Sequence, residues 1–172
     1  MEIHTQAEQH IEVHKFYGGA VVGVAALALL AQATLPRYVP RADLLELPLL
    51  VTLYFALSRR NPATGLLLGM VVGILQDALG RTPIGLYGIA KTLVGFAGSS
   101  IGARIDVEHP ISRFLMAFGF FHFQQVVMAL TKRWLLDEPG VFFTLPLLIA
   151  ALVNALLAVG LFPVLDRLRK TS

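Results

Sequence analysis

The sequence contains no cysteine, which excludes disulfides, thiolate metal sites and cysteine nucleophiles. Charge is also scarce. Only 15% of the 172 residues are Asp, Glu, Lys or Arg, where a soluble domain carries about a quarter. There is one tryptophan, and aromatic residues make up 9% of the chain. H-E-x-x-H and phosphate-loop motifs are both missing. Nothing marks a nucleophile or an acid–base pair meeting in a wet cleft, so the chain reads as a non-enzyme that needs no cofactor or metal.

What is present is apolar. Hydrophobic residues are 56% of the chain and the mean hydropathy is +0.70, with the charges swept into the gaps between long oily blocks. That pattern predicts an all-α, polytopic membrane protein, since a helix needs about 20 apolar residues to cross the hydrocarbon core. Six blocks qualify, at 17–35, 43–57, 63–79, 84–103, 114–131 and 143–165; the second and third are short. The whole of 17–166 therefore reads as one six-helix bundle. It is flanked by an amphipathic or flexible tail at 1–16 and a basic tail at 167–172.

Six crossings place both termini on one side. Lys15, Arg59, Arg60, Arg104, Arg113, Arg167, Arg169 and Lys170 fall on that side. Arg37, Arg41, Arg81, Lys132 and Arg133 fall on the other, leaving Lys91 within the membrane. Eight against five favours cytoplasmic termini by the positive-inside rule. The net charge of +3 thus belongs to lipid headgroups, and nucleic acid is not expected as a partner. Trp134, Phe142 and Phe143 read as interfacial anchors on the outer side. "AQA" at 31–33 looks like a signal-peptidase site, but Glu2, Glu8 and Glu12 give the preceding segment the wrong sign, so the first block is expected to be retained. His10 and His14 are one helical turn apart; a solvated tail explains them better than a metal site with no third ligand.

The most informative stretch is "GLLLGMVVGILQDALGRTPIGLYG", residues 65–88. Gly65, Gly69 and Gly73 step along one face of the third block, and Asp77 takes the next place in the series. The fourth block carries Gly88, Gly95, Gly98 and Gly102 with Ser99 beside them. In lipid, close helix contact comes from small residues that let backbones touch. The stripe therefore serves either a neighbouring helix of the chain or, as the sharper expectation, a groove in which another polypeptide lies. Asp77 needs a partner so near the membrane. The options are the backbone N–H groups of the turn "GRTPIG", Arg81, a snorkelling Lys91, a second protein, or a proton relay.

Residues 61–102 resemble the MreD family of rod-shape-determining membrane proteins. The resemblance rests on Pro62, Gly65, Gly69, Gly73, Asp77, Gly80 and Gly85, followed by a small-residue helix through Gly88 and Gly95. It implies a non-catalytic scaffold of the cell-wall elongation machinery in the bacterial inner membrane. The implied partner is the bitopic protein MreC, with indirect coupling of MreB filaments to the RodA glycosyltransferase and its penicillin-binding transpeptidase. Lys91 is not part of that family pattern. The family's architecture is in turn similar to the substrate-capturing S components of energy-coupling-factor transporters. On that alternative, Lys91, His122, Gln125 and Asn154 would converge on a vitamin-like ligand at mid-bilayer.

The remaining polar residues have plainer readings. Asp43 and Glu46 have the spacing of an acidic capping box at a helix start, against the alternative of a buried functional acid. His122 and Gln125 share a side of the fifth block and read as interhelical hydrogen-bond glue. "RIDVEHPISR", 104–113, reads as a solvated loop or a docking site.

Overall fold

The computed structural model describes residues 16–105 and 107–169. The expectations for the N-terminal tail, with His10 and His14, and for Asp106 and Lys170 lie outside the described residues. Six α-helices follow in order: α1 Gly18–Thr34, α2 Leu47–Arg59, α3 Pro62–Gly80, α4 Leu86–Gly102, α5 Pro110–Leu135 and α6 Leu145–Asp166. Four of them, α1, α3, α5 and α6, are long and apolar enough to cross a membrane. The protein is an all-α integral membrane protein.

The boundaries move where end chemistry overrides hydropathy. Residues 43–46, expected in the second helix, precede it: 42–44 form a short 3-10 turn, and α2 begins only at Leu47 with Pro48 in its first turn. In contrast, α5 runs past its apolar block at both ends and takes in Arg113, Lys132 and Arg133. Asn61 caps α3 by accepting from the backbone N–H groups of Ala63 and Thr64.

Helix α2 is the axis of the molecule. It has 13 residues, about 20 Å of rise, and every residue from Pro48 to Ser58 is buried. Its sequence is apolar all round, as a fully enclosed helix should be. Sheathed by α1, α3, α4, α5 and α6, it need not match the bilayer thickness. Phe16, Tyr54, Phe55 and Phe162 interlock edge to face at one end of this core.

At that same end the chain closes on itself. Phe16 and Arg169 form an isolated antiparallel bridge. Asp166 accepts from Arg113 at 2.6 Å, from the Tyr54 hydroxyl at 2.9 Å and from Arg169 at 2.7 Å. Arg113 also donates to the Val107 carbonyl. The connection at 104–113, expected to be a solvated loop or a docking site, is exposed at Arg104, Ile105, Glu108 and His109 but pinned to the bundle at Val107 and Arg113, which are buried. Burial works against the Arg169 charge, but Glu108, Tyr54 and Asp166 outweigh it and raise the pKa above the usual guanidinium value.

Candidate functional site

The glycine stripe of α3 faces α4. A Cβ at Gly65 would overlap the Gly95 carbonyl and the Ser99 hydroxyl, one at Gly69 the Lys91 carbonyl, and one at Gly73 the Tyr87 carbonyl. The paired positions descend on one helix as they rise on the other, so α3 and α4 form an antiparallel hairpin in backbone contact along its length. Gly95 is reciprocal, its Cβ position occupied by the Gly65 carbonyl, and Gly88 is closed off by Ile74 at 3.1 Å. Gly98 packs on Leu53 and Ala56 of α2, and Gly102 on the Leu57 backbone. The expectation of an open groove on α3 for another polypeptide is thus corrected: the chain fills the groove itself. A Cβ at Gly80 would make only ordinary contact with Thr82 at 3.9 Å, and Gly85 is needed for a different reason, a φ of +105° at the entry to α4.

Asp77 completes the same hairpin. It is fully buried, and its two carboxylate oxygens accept four hydrogen bonds. Oδ2 accepts from Gly85 N–H at 2.9 Å and Gly88 N–H at 3.1 Å. Oδ1 accepts from Tyr87 N–H at 3.0 Å and the Thr82 hydroxyl at 2.9 Å. Three of these donors are the orphan amides that open α4, so Asp77 is the N-cap of a helix to which it does not belong. Its charge opposes the dipole of α3, where it sits, and complements that of α4. Neither Arg81 nor Lys91 is among those four donors; Arg81 gives its backbone N–H to the Asp77 carbonyl.

Lys91 points the other way, into the bundle. It has no exposed surface, and its Nζ donates to Glu46 at 3.3 Å and to the Gln124 side chain at 2.8 Å. The ammonium lies 4.6 Å from the centre of the Tyr87 ring. Gln76 donates to the same Glu46 oxygen at 3.4 Å. Glu46 is therefore not the second acid of a capping box, and its side chain bonds no N–H of its own helix. The start of α2 is served from elsewhere. Asn154 of α6 accepts from Glu46 N–H at 2.8 Å and donates to the Leu44 carbonyl, while Gln32 of α1 accepts from Leu47 N–H and donates to the Leu45 carbonyl. Because two distant helices cap α2, its first carboxylate is released to meet Lys91.

The expected convergence of Lys91, His122, Gln125 and Asn154 does not form. His122 bonds its own helix at the Phe118 carbonyl, leans on the Phe118 ring and stacks against Phe143, and Gln125 lines a separate recess with Lys132 and Thr144. The residue that meets Lys91 is Gln124, one position away. Helical phase was the usable signal: Ala117, Phe121, Gln124 and Met128 recur at the spacing of one buried face. Glu46 and Gln76 carried no comparable local mark.

Above this network, at the end of the bundle away from Phe16 and Arg169, lies a cleft of about 240 Å³. Its polar wall is formed by Gln32, Asp43, Glu46, Gln76, Thr82 and Tyr87.

A family model described as rod shape-determining protein MreD matches residues 15–171 of the chain. No curated protein and no solved structure matches it. The likeness to energy-coupling-factor subunits finds no support in these comparisons.

Proposed function

The chain belongs to the MreD family and so to the machinery of rod-shape determination, and on that premise we propose that it is a non-catalytic membrane scaffold of cell-wall elongation. It binds MreC through helix packing and helps couple MreB filaments to the RodA glycosyltransferase and its penicillin-binding transpeptidase. It sits in the bacterial inner membrane with both termini cytoplasmic, the side favoured by the distribution of Lys and Arg.

What supports a scaffold is how the polar groups are used. Asp77, Asn154 and Gln32 hold the ends of other helices, and Glu46, Lys91 and Gln124 hold one another. These are positioning roles, and they brace a body whose partners must meet it from outside. The observation that carries the reading is on α1. Gly19 and Gly23 form a G-x-x-x-G pair on an exposed face, and a Cβ at either meets nothing within 4 Å. Small residues one turn apart, uncovered by their own chain, suit a partner's transmembrane helix.

The test is co-purification of MreC from membranes. Gly19→Leu and Gly23→Leu are expected to lose MreC by tenfold or more while the protein itself accumulates normally. Full retention of MreC by both variants would remove α1 as the contact and the scaffold reading with it.

A further inference from the structure

We infer that the cleft above Glu46 is a headgroup site for a membrane lipid that carries a primary ammonium, of the phosphoethanolamine class. The polar wall needs a donor. Gln76 is 7% exposed and turns its amide nitrogen to Glu46. A carboxylate can only accept, so the geometry fixes the amide, and the Gln76 oxygen is left buried with no hydrogen-bond partner. An unmet buried acceptor of this kind is unfavourable unless something donates to it. Glu46 adds a carboxylate deeper in, and Asp43 adds a second, exposed one on the rim. Lys91, the cation of the network among the described residues, stands behind Glu46 and does not line the cleft. The donors on the wall are already spent: Gln32 on the Leu45 carbonyl, Thr82 on Asp77, and Gln76 and Tyr87 on Glu46. The Gln76 oxygen and the Asp43 carboxylate remain to be met, and two such acceptors select a group rich in N–H; a primary ammonium offers three.

The rest of the cleft selects an amphiphile. Leu29 and Ala33 of α1 and Leu79 of α3 form its apolar side. Leu79 is half exposed, as are Leu75 below it and Leu30 on α1, so the apolar side is continuous with the lipid-facing surface. A volume of about 240 Å³ corresponds to roughly eight waters of liquid, the size of a headgroup and not of a whole lipid. Acyl chains would leave along the leucines. Arg37 and Arg81 are exposed chain neighbours of the lining residues Pro36, Gly80 and Thr82, and they bring positive charge to the rim, where a phosphate would rest.

The experiment is lipid titration of the delipidated protein, read by native mass spectrometry. Three lipids with identical acyl chains are compared: phosphatidylethanolamine, phosphatidylcholine and phosphatidylglycerol. Choline keeps the charge and the phosphate but has no N–H. The wild type is expected to retain phosphatidylethanolamine about tenfold better than phosphatidylcholine, the worth of one good hydrogen bond. Gln76→Leu and Asp43→Asn should each cut that preference to threefold or less. Asp43 is exposed, so its variant keeps the test alive if Gln76→Leu folds poorly. Equal retention of the two lipids, or an unchanged preference in Asp43→Asn and in any folded Gln76→Leu, overturns the site. Soluble phosphoethanolamine binding as tightly as the lipid overturns its assignment to a lipid.

Discussion

Lys91 and Glu46 are buried together, with side chains 0% and 8% exposed, at the meeting point of α2, α4 and α5. A charge in that position is tolerable only while its counter-charge and hydrogen-bond partners stay in place. Lys91→Met leaves Glu46 stranded and should lower stability by about 3–5 kcal/mol. Adding Glu46→Gln to that variant removes the stranded charge and should recover more than half of the loss, measured by thermal unfolding in detergent micelles. Strictly additive losses in the double variant would show that the two side chains are not coupled. Asp77 poses the same question with a different answer, because its partners are backbone amides. Asp77→Asn keeps an acceptor oxygen for the start of α4, whereas Asp77→Leu leaves three amides without one. The expected order of melting temperature is wild type, then Asn, then Leu, with the Leu variant down by about 3 kcal/mol. Equal losses for the two variants would mean that charge, not capping, is what Asp77 supplies.

At the scale of helices, glycines that look alike in sequence divide into two kinds. Gly69 touches the backbone of α4, while Gly23 and Gly80 meet open space or nothing closer than 3.9 Å. Gly69→Ala must push two backbones apart and should cost about 3 kcal/mol. Gly23→Ala and Gly80→Ala should be neutral or gain up to about 1 kcal/mol from helix propensity. Circular dichroism melts of the three variants check this, and a tolerated Gly69→Ala would contradict the close α3–α4 approach. The sequence made the existence of these helices legible because hydropathy and small-residue spacing are local. It could not show that Gln32 and Asn154 cap α2 from 15 and 108 residues away, or that Asp77 caps α4. A capping box at Asp43 and Glu46 was the reasonable local solution. It failed because side chains brought in by tertiary packing had already taken the helix end. His122 and Gln125 were selected by residue type and spacing, but the inward phase of α5 belongs to Gln124.

On the scale of the molecule, a 13-residue helix buried from Pro48 to Ser58 raises a topological question: whether α2 carries the chain fully from one end of the bundle to the other. The fold says that it does. The segment before α2 holds the cleft, and the hairpin after it lies at the end where Phe16 meets Arg169. Even passage through six helices then puts Ala63 and Arg104 on one face of the membrane, and Tyr38, Ile84 and Trp134 on the other. These last three are 76–84% exposed, and the native chain has no cysteine, so single-cysteine variants at all five positions are direct reporters. A membrane-impermeant maleimide applied to spheroplasts should label Tyr38→Cys, Ile84→Cys and Trp134→Cys, and spare Ala63→Cys and Arg104→Cys. Inside-out vesicles should give the reverse. If Tyr38→Cys and Ala63→Cys label from the same face, α2 is a re-entrant segment and the termini lie on opposite sides. If all five reverse together, the bundle stands but its orientation is inverted. In that case the excess of Lys and Arg would lie outside, and the cleft end of the molecule, not the end closed by Asp166, would face the cytoplasm.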